Sequence, residues 1–122
     1  MIKMVCMFNR KPGLTMAEFR YYYENNHVPL VTGLLSNWCD YRRNYRIEDS
    51  GYEAPHGDPT RTNDAVFDVM TEITYESEAK YQATMAALAD PEVGKRVAED
   101  EAKFMDRPSM RVHLVEECQS PQ

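Results

Sequence analysis

The strongest constraint on this chain lies in residues 10–30, RKPGLTMAEFRYYYENNHVPL, where a turn, a helix start and a helix stop signal follow in close order. The Pro12-Gly13 turn leads into Thr15, a residue that caps helix N-termini, and Glu18 three residues on completes a capping box. Met16, Phe19, Tyr23 and His27 recur at spacings of three and four, which predicts one helix over residues 15–27. Pro29 restricts the residue before it and discourages the helix from running on past His27. The pattern resumes at Leu30, Val31, Leu34 and Leu35.

Around this helix the periodicity alternates. Residues 2–8, IKMVCMF, form a strand-length apolar run. Residues 38–47, WCDYRRNYRI, read as a second strand, with Tyr41, Arg43, Tyr45 and Ile47 on one face and Asp40, Arg42, Asn44 and Arg46 on the other. Residues 48–64 are rich in Gly, Pro and Asp and form a loop too long for a tight hairpin. Residues 65–75 make a third strand, a helix runs from Glu76-Ser77 to Leu88, and Asp90-Pro91 breaks it before a short helix over 92–104. Residues 109–117 close as the fourth strand, and residues 118–122 form a frayed tail. The expectation is a single α+β domain over residues 1–122, with the βαββαβ order of the ferredoxin-like plan: a four-stranded antiparallel sheet with helices on one face.

A chain of 122 residues, 43% of them hydrophobic, builds one real core. Its net charge of −6 argues against a nucleic-acid footprint, which needs a clustered basic surface. Cys6, Cys39 and Cys118 are an odd count without CxxC spacing, which disfavours a disulfide framework or zinc site and points to a reducing cytoplasm. The N-terminal apolar run is too short for a signal peptide or membrane span. Both faces of the first strand are largely apolar, Met4, Cys6 and Phe8 on one and Val5 and Met7 with Lys3 on the other. Helices cover one face, so the simplest solution is a homodimer in which two sheets close face to face. Each protomer then keeps a pocket between its sheet and its helices or loops.

The opening strand, the KPGLTMAEFRYYYENNHVPL segment, the strand carrying Asp68, Glu72 and Tyr75, the EDEAKFMD helix and the closing HLVEE strand resemble the EthD family of the dimeric α+β barrel superfamily. The resemblance covers the chain apart from the 48–64 loop. It implies a small homodimer. It also implies chemistry of the kind several relatives perform without a cofactor: isomerisation, dehydration, cyclisation or decarboxylation of lactones or polyketide-like aromatics. It places a histidine at the H-x-P-L position, His27, where relatives that isomerise lactones carry one.

His27 is accordingly the first candidate. It is either a general acid or base, or a helix-end imidazole interacting with the last carbonyls. Tyr23 shares its helix face and offers a hydroxyl to a substrate oxygen or to the core, with Phe19 one turn before it. Consecutive residues on a helix diverge by ~100°, so Tyr21 and Tyr22 suit packing better, with Tyr22 retained as a binding candidate. Asp68 and Glu72 share a strand face with Met70 between them. Carboxylates on a half-buried face are costly unless paired or functional, so they form either a polar inner ring around His27 or cross-strand ion pairs with Arg42, Arg46, Arg111 and His113. His56, in APHGDP, is either a loop acid–base group or a solvated residue.

His27, His56, His113, Asp68 and Glu72 stand at no recognised metal spacing. Flavin and nicotinamide motifs, a Gly-rich phosphate loop and a GxSxG elbow find no match in the residues. The expected function is a cofactor-independent lyase or isomerase for a small hydrophobic cyclic or aromatic metabolite. Catalysis is assigned to His27, Tyr23, Asp68 and Glu72, and binding to Phe19, Tyr22, Arg42, Met70, His113 and His56. The alternatives are a carrier or accessory protein for a hydrophobic small molecule and, further off, a haem- or metal-dependent oxygenase of the same superfamily.

Overall fold

The computed structural model describes residues 1–48 and 67–121. The elements are β1 (Ile2–Arg10), α1 (Met16–Tyr22), a π-helical turn (Tyr23–His27), α2 (Val28–Leu34), β2 (Asp40–Tyr45), β3 (Val69–Tyr75), α3 (Glu78–Ala89), α4 (Pro91–Glu101) and β4 (Met105–Val115). The sheet has four strands in the order β2-β3-β1-β4, every neighbouring pair antiparallel. This is the ferredoxin-like α+β plan expected from the periodicity. The 48–64 loop beyond Glu48, with His56, and the first residues of the 65–75 strand lie outside the described residues.

The capping box forms: Thr15 Oγ1 accepts the Glu18 N–H at 3.1 Å and Glu18 Oε1 accepts the Thr15 N–H at 2.9 Å. The helix does not stop at His27. The Val28 N–H donates to Tyr23 O, five residues back, so a wider turn absorbs the N–H that Pro29 lacks, and the chain continues straight into α2. His27 therefore sits in mid-helix, and the helix-end role expected for it does not apply. Asp90 caps α4, its Oδ1 accepting the Glu92 and Val93 N–H groups at 3.0 and 3.1 Å, with Pro91 in the first turn.

The last strand begins earlier than expected. The chain leaves α4 at Glu101, makes one tight turn, and enters β4 at Met105. Pro108 obscured this start. It sits where the register against β1 slips between Met7 and Asn9, and Ser109 Oγ there accepts the Asn9 N–H at 2.8 Å. An edge strand tolerates proline at such an irregularity because the missing N–H breaks no ladder.

Register assigns the faces. Cys6 pairs with Thr71 and Phe8 with Val69, and all four are buried beneath the helices. Their face continues through Tyr41, Arg43 and Tyr45 on β2. The core is aromatic: Phe8, Phe19, Tyr23 and Phe104 pack with ring centroids 5.2–6.4 Å apart. Phe104 is fully buried, and truncating such a side chain to alanine costs about 3–5 kcal/mol. The opposite face carries Lys3, Val5 and Met7 of β1, Met70, Glu72 and Thr74 of β3, and Arg42 of β2. No helix covers it.

Candidate functional site

Between the sheet and the helices lies a cavity of about 260 Å³, walled mainly by Met4, Cys6, Val31, Leu35, Ile73, Met85 and Leu88, with His27, Tyr23, Tyr41 and Glu101 among its polar groups. Apolar walls with a few convergent polar groups are the usual composition of a small-molecule site.

His27 is 5% exposed and its Nδ1 lies 2.8 Å from Asp100 Oδ2. Asp100, also buried, comes from the last turn of α4 and receives the Tyr22 hydroxyl on its other oxygen at 2.6 Å. The carboxylate sets the imidazole's orientation and leaves Nε2 as the nitrogen available to the cavity. Phe104 packs tilted against the imidazole ring at 4.9 Å between centroids. Burial, together with the Asp100 carboxylate that accepts from it, pushes the Tyr22 phenol up to about 12, so it stays a donor. The π turn, a feature enriched at functional sites, is what holds His27 in this position.

Tyr23 and Tyr41 place their hydroxyls 2.6 Å apart. Burial drives the Tyr23 phenol well above its usual range and the Tyr41 phenol to about 12, so both remain neutral and one hydrogen of the pair is left to offer. Arg43 braces them from behind: its guanidinium lies 4.8 Å over the Tyr41 ring and forks onto Glu24 at 2.9 and 2.7 Å. Burial raises the Glu101 carboxyl, against the downward pull of His27 and of Arg107, whose Nε is 3.3 Å away. The thiol of Cys6 is raised to about 11 by burial and is a neutral wall group.

Of the residues expected at the site, the cavity brings together His27 and Tyr23. Phe19 packs behind Tyr23 in the core, and the Tyr22 hydroxyl donates to Asp100. Glu72, Met70, Arg42 and His113 lie across the sheet from His27: Glu72 pairs in register with Val5 and Arg42, and His113 with Val5. The inner ring expected around His27 does not form, because the period-two alternation of β2, β3 and β4 turns these side chains to the uncovered face. Glu72 there meets Lys3 at 3.3 Å and Asn44 at 3.1 Å, and Arg42 meets Asp40 at 2.6 Å. Asp68 is buried but structural, accepting the Arg10 N–H at 2.8 Å and Arg46 at 3.0 Å, which pins the end of β1 to the end of β2. Among the described residues no cluster of His, Cys, Asp and Glu suits a metal ion.

Asp100, Glu101, Tyr41 and Phe104 were not expected. A signal existed in Val93, Val97, Asp100 and Phe104, spaced four, three and four apart. That stripe puts Asp100 on the buried face of α4, although the surrounding AEDEAK reads as a solvated acidic run.

Fold and cavity together define a ferredoxin-like α+β protein with an apolar cavity and, in its wall, a histidine backed by an aspartate. The chain belongs to the EthD family, whose domain matches residues 11–108. It is 27% identical over 113 residues to the conidial pigment biosynthesis dehydratase EthD of Metarhizium robertsii, covering 88% of this chain and 78% of that protein. It is 28% identical over 102 residues to dehydratase ustZ of Ustilaginoidea virens, covering 80% and 69%. Among solved structures, an EthD-family protein of Bacillus halodurans superposes with a TM-score of 0.62 at 22% identity, covering 97% of this chain and 99% of that one. A dimeric protein of ferredoxin-like fold from Bacteroides fragilis superposes with a TM-score of 0.54 at 8% identity, covering 95% of each. Among the described residues no helix is long and apolar enough to cross a membrane.

Proposed function

We propose that this protein is a cofactor-independent lyase that dehydrates a small, hydrophobic, oxygenated cyclic metabolite, with His27 as the proton-transfer group. The observation that carries this reading is the 2.8 Å contact between His27 Nδ1 and Asp100 at the wall of an apolar cavity. A base held in one orientation by a buried carboxylate is the arrangement proton abstraction from carbon requires. The dehydratase relatives described above support the reaction class.

The step follows from the groups present. His27 Nε2 takes the proton from the carbon beside a substrate carbonyl, and Asp100 stabilises the imidazolium that forms. The hydrogen left over by the Tyr23–Tyr41 pair is donated as a hydrogen bond to the carbonyl oxygen, where negative charge develops. Burial favours the protonated form of Glu101, which gives its proton to the departing β-hydroxyl. The C–H and C–O bonds break, a C=C bond forms and water leaves. The imidazolium then returns the abstracted proton by way of solvent to Glu101, which restores both groups.

A carrier of hydrophobic molecules needs only the greasy walls. Burying Asp100 against an imidazole is costly without a use for the pair, which favours the enzyme. We further propose that the uncovered sheet face, with Val5, Met7 and Met70 at its centre, closes on a second copy of the chain, as the dimeric relatives' architecture suggests.

The test needs no knowledge of the natural substrate. 2-Tetralone, a bicyclic ketone with acidic α-hydrogens, is incubated in deuterated buffer and its exchange followed by NMR. The wild-type protein should accelerate exchange and the His27→Gln variant should lose most of that acceleration. Equal exchange with the two proteins overturns the proposal.

A further inference from the structure

Tyr75 Oη and Thr84 Oγ1 are buried side-chain oxygens with no hydrogen-bond partner among the described residues. Tyr75 is 0% exposed and Thr84 2%, and both line the cavity. Burial raises the Tyr75 phenol; the nearby Thr84 hydroxyl tempers the shift, yet the two oxygens do not reach hydrogen-bonding geometry with each other. Leaving buried hydroxyls unpaired is expensive, and native proteins do so where something else supplies the partner.

Their place in the fold separates them from the proton-transfer group. On β3 the helix-side residues run Val69, Thr71, Ile73, Tyr75. Val69 pairs with Phe8, whose ring contacts Phe104, the ring packed against His27. Tyr75 pairs with Ile2 at the other end of the sheet, and Thr84 comes down from α3. The hydroxyl pair and His27 thus lie toward different ends of one chamber.

We propose that Tyr75 and Thr84 form a neutral polar subsite that receives a hydroxyl or carbonyl oxygen of the substrate, remote from the carbon at which His27 acts. This rests on the reading of the cavity as a substrate site and narrows the substrate class. Each hydroxyl both donates and accepts, so the pair suits a phenol or ketone oxygen. The adjoining walls, Met85 and Leu88, offer no cation to a carboxylate. The molecule accepted is an uncharged ring system oxygenated at two separated positions.

The test compares 2-naphthol with naphthalene by fluorescence titration of the purified protein. The naphthol should bind about tenfold more tightly, the value of one satisfied hydrogen bond in a dry site. That preference should disappear in Thr84→Val and in Tyr75→Phe and persist in His27→Gln. Without ligand, Thr84→Val should melt at the same temperature as wild type or higher, since an unpaired hydroxyl has been replaced by a methyl group. Four results overturn the subsite: no preference in the wild type, a preference that survives both hydroxyl deletions, its loss in His27→Gln, or a lower melting temperature for ligand-free Thr84→Val. Because the readout is binding, failure of the proton-transfer proposal in the 2-tetralone experiment leaves these outcomes independent.

Discussion

His27 Nδ1 and Asp100 Oδ2 meet at 2.8 Å across 73 residues of chain, one from a π turn in the first helical segment and the other from the last turn of α4. Neither element holds the geometry alone. The π turn sets the imidazole, and the Asp90–Pro91 cap sets where α4 starts and so which residue reaches the ring. Asp100→Asn keeps size and packing but removes the charge that stabilises an imidazolium. Exchange of 2-tetralone should fall about 10²-fold, within the range assigned to a positioned acid–base group. Tyr22→Phe removes only the second bond to the carboxylate and should cost several-fold less, with the melting temperature little changed. A larger loss in Tyr22→Phe than in Asp100→Asn would contradict the assigned order.

Glu101 supplies a pH prediction. Burial raises its carboxyl in the folded state, so folding takes up a proton in the window between the unfolded and the folded values. The stability this proton lends is whole below the unfolded value, about 4.3, and is lost as pH rises through the raised folded value. Glu101→Gln cannot ionise. Its melting temperature should therefore gain on the wild type as pH climbs through that window, with a constant difference above it. Parallel melting curves at every pH would show that folding does not raise the carboxyl.

How much of this was legible in the sequence follows from which forces are local. The capping box at Thr15, the Asp90-Pro91 break and the strand alternations are short-range, and they yielded the element order and the ferredoxin-like plan. The π turn was hidden because Pro29 is a stop signal on average, and only the helix's continued packing through Val31 and Leu35 overrides it. Facial assignment on β3 located Glu72 and Met70 together correctly, but the side of the sheet they occupy depends on where the helices dock. Asp100 pairs with a residue far away in sequence, and no local spacing encodes that meeting.

Glycines give a contrast that isolates backbone from packing. Gly33 lies within α2, and a Cβ there meets nothing within 4 Å. Gly33→Ala should stabilise by roughly 0.5–1 kcal/mol by restricting the unfolded chain. Gly94 lies in α4, where a Cβ would come within 2.6 Å of the Leu88 carbonyl oxygen. Gly94→Ala must push α3 and α4 apart, and it should destabilise despite its better helix propensity. Chemical denaturation of both variants reads the opposite signs. Destabilisation by Gly33→Ala would place an unrecognised contact beside α2.

The uncovered face of the sheet makes the last prediction. Val5 sits at its centre, flanked in register by Glu72 and His113. Lys3 and Glu72 already pair there at 3.3 Å, so their charges are matched within the face rather than left for solvent. Val115 of β4 is 37% exposed on the same side. A stable dimer buries on the order of 1,200–2,000 Å² in total. Light scattering should report twice the chain mass of 14.2 kDa at micromolar concentration. Val5→Glu places a second carboxylate beside Glu72 and should shift the particle to monomer. If the cavity is complete within each protomer, as the residues lining it indicate, 2-tetralone exchange per chain should survive that dissociation. A wild-type monomer would remove the need for a partner on this face.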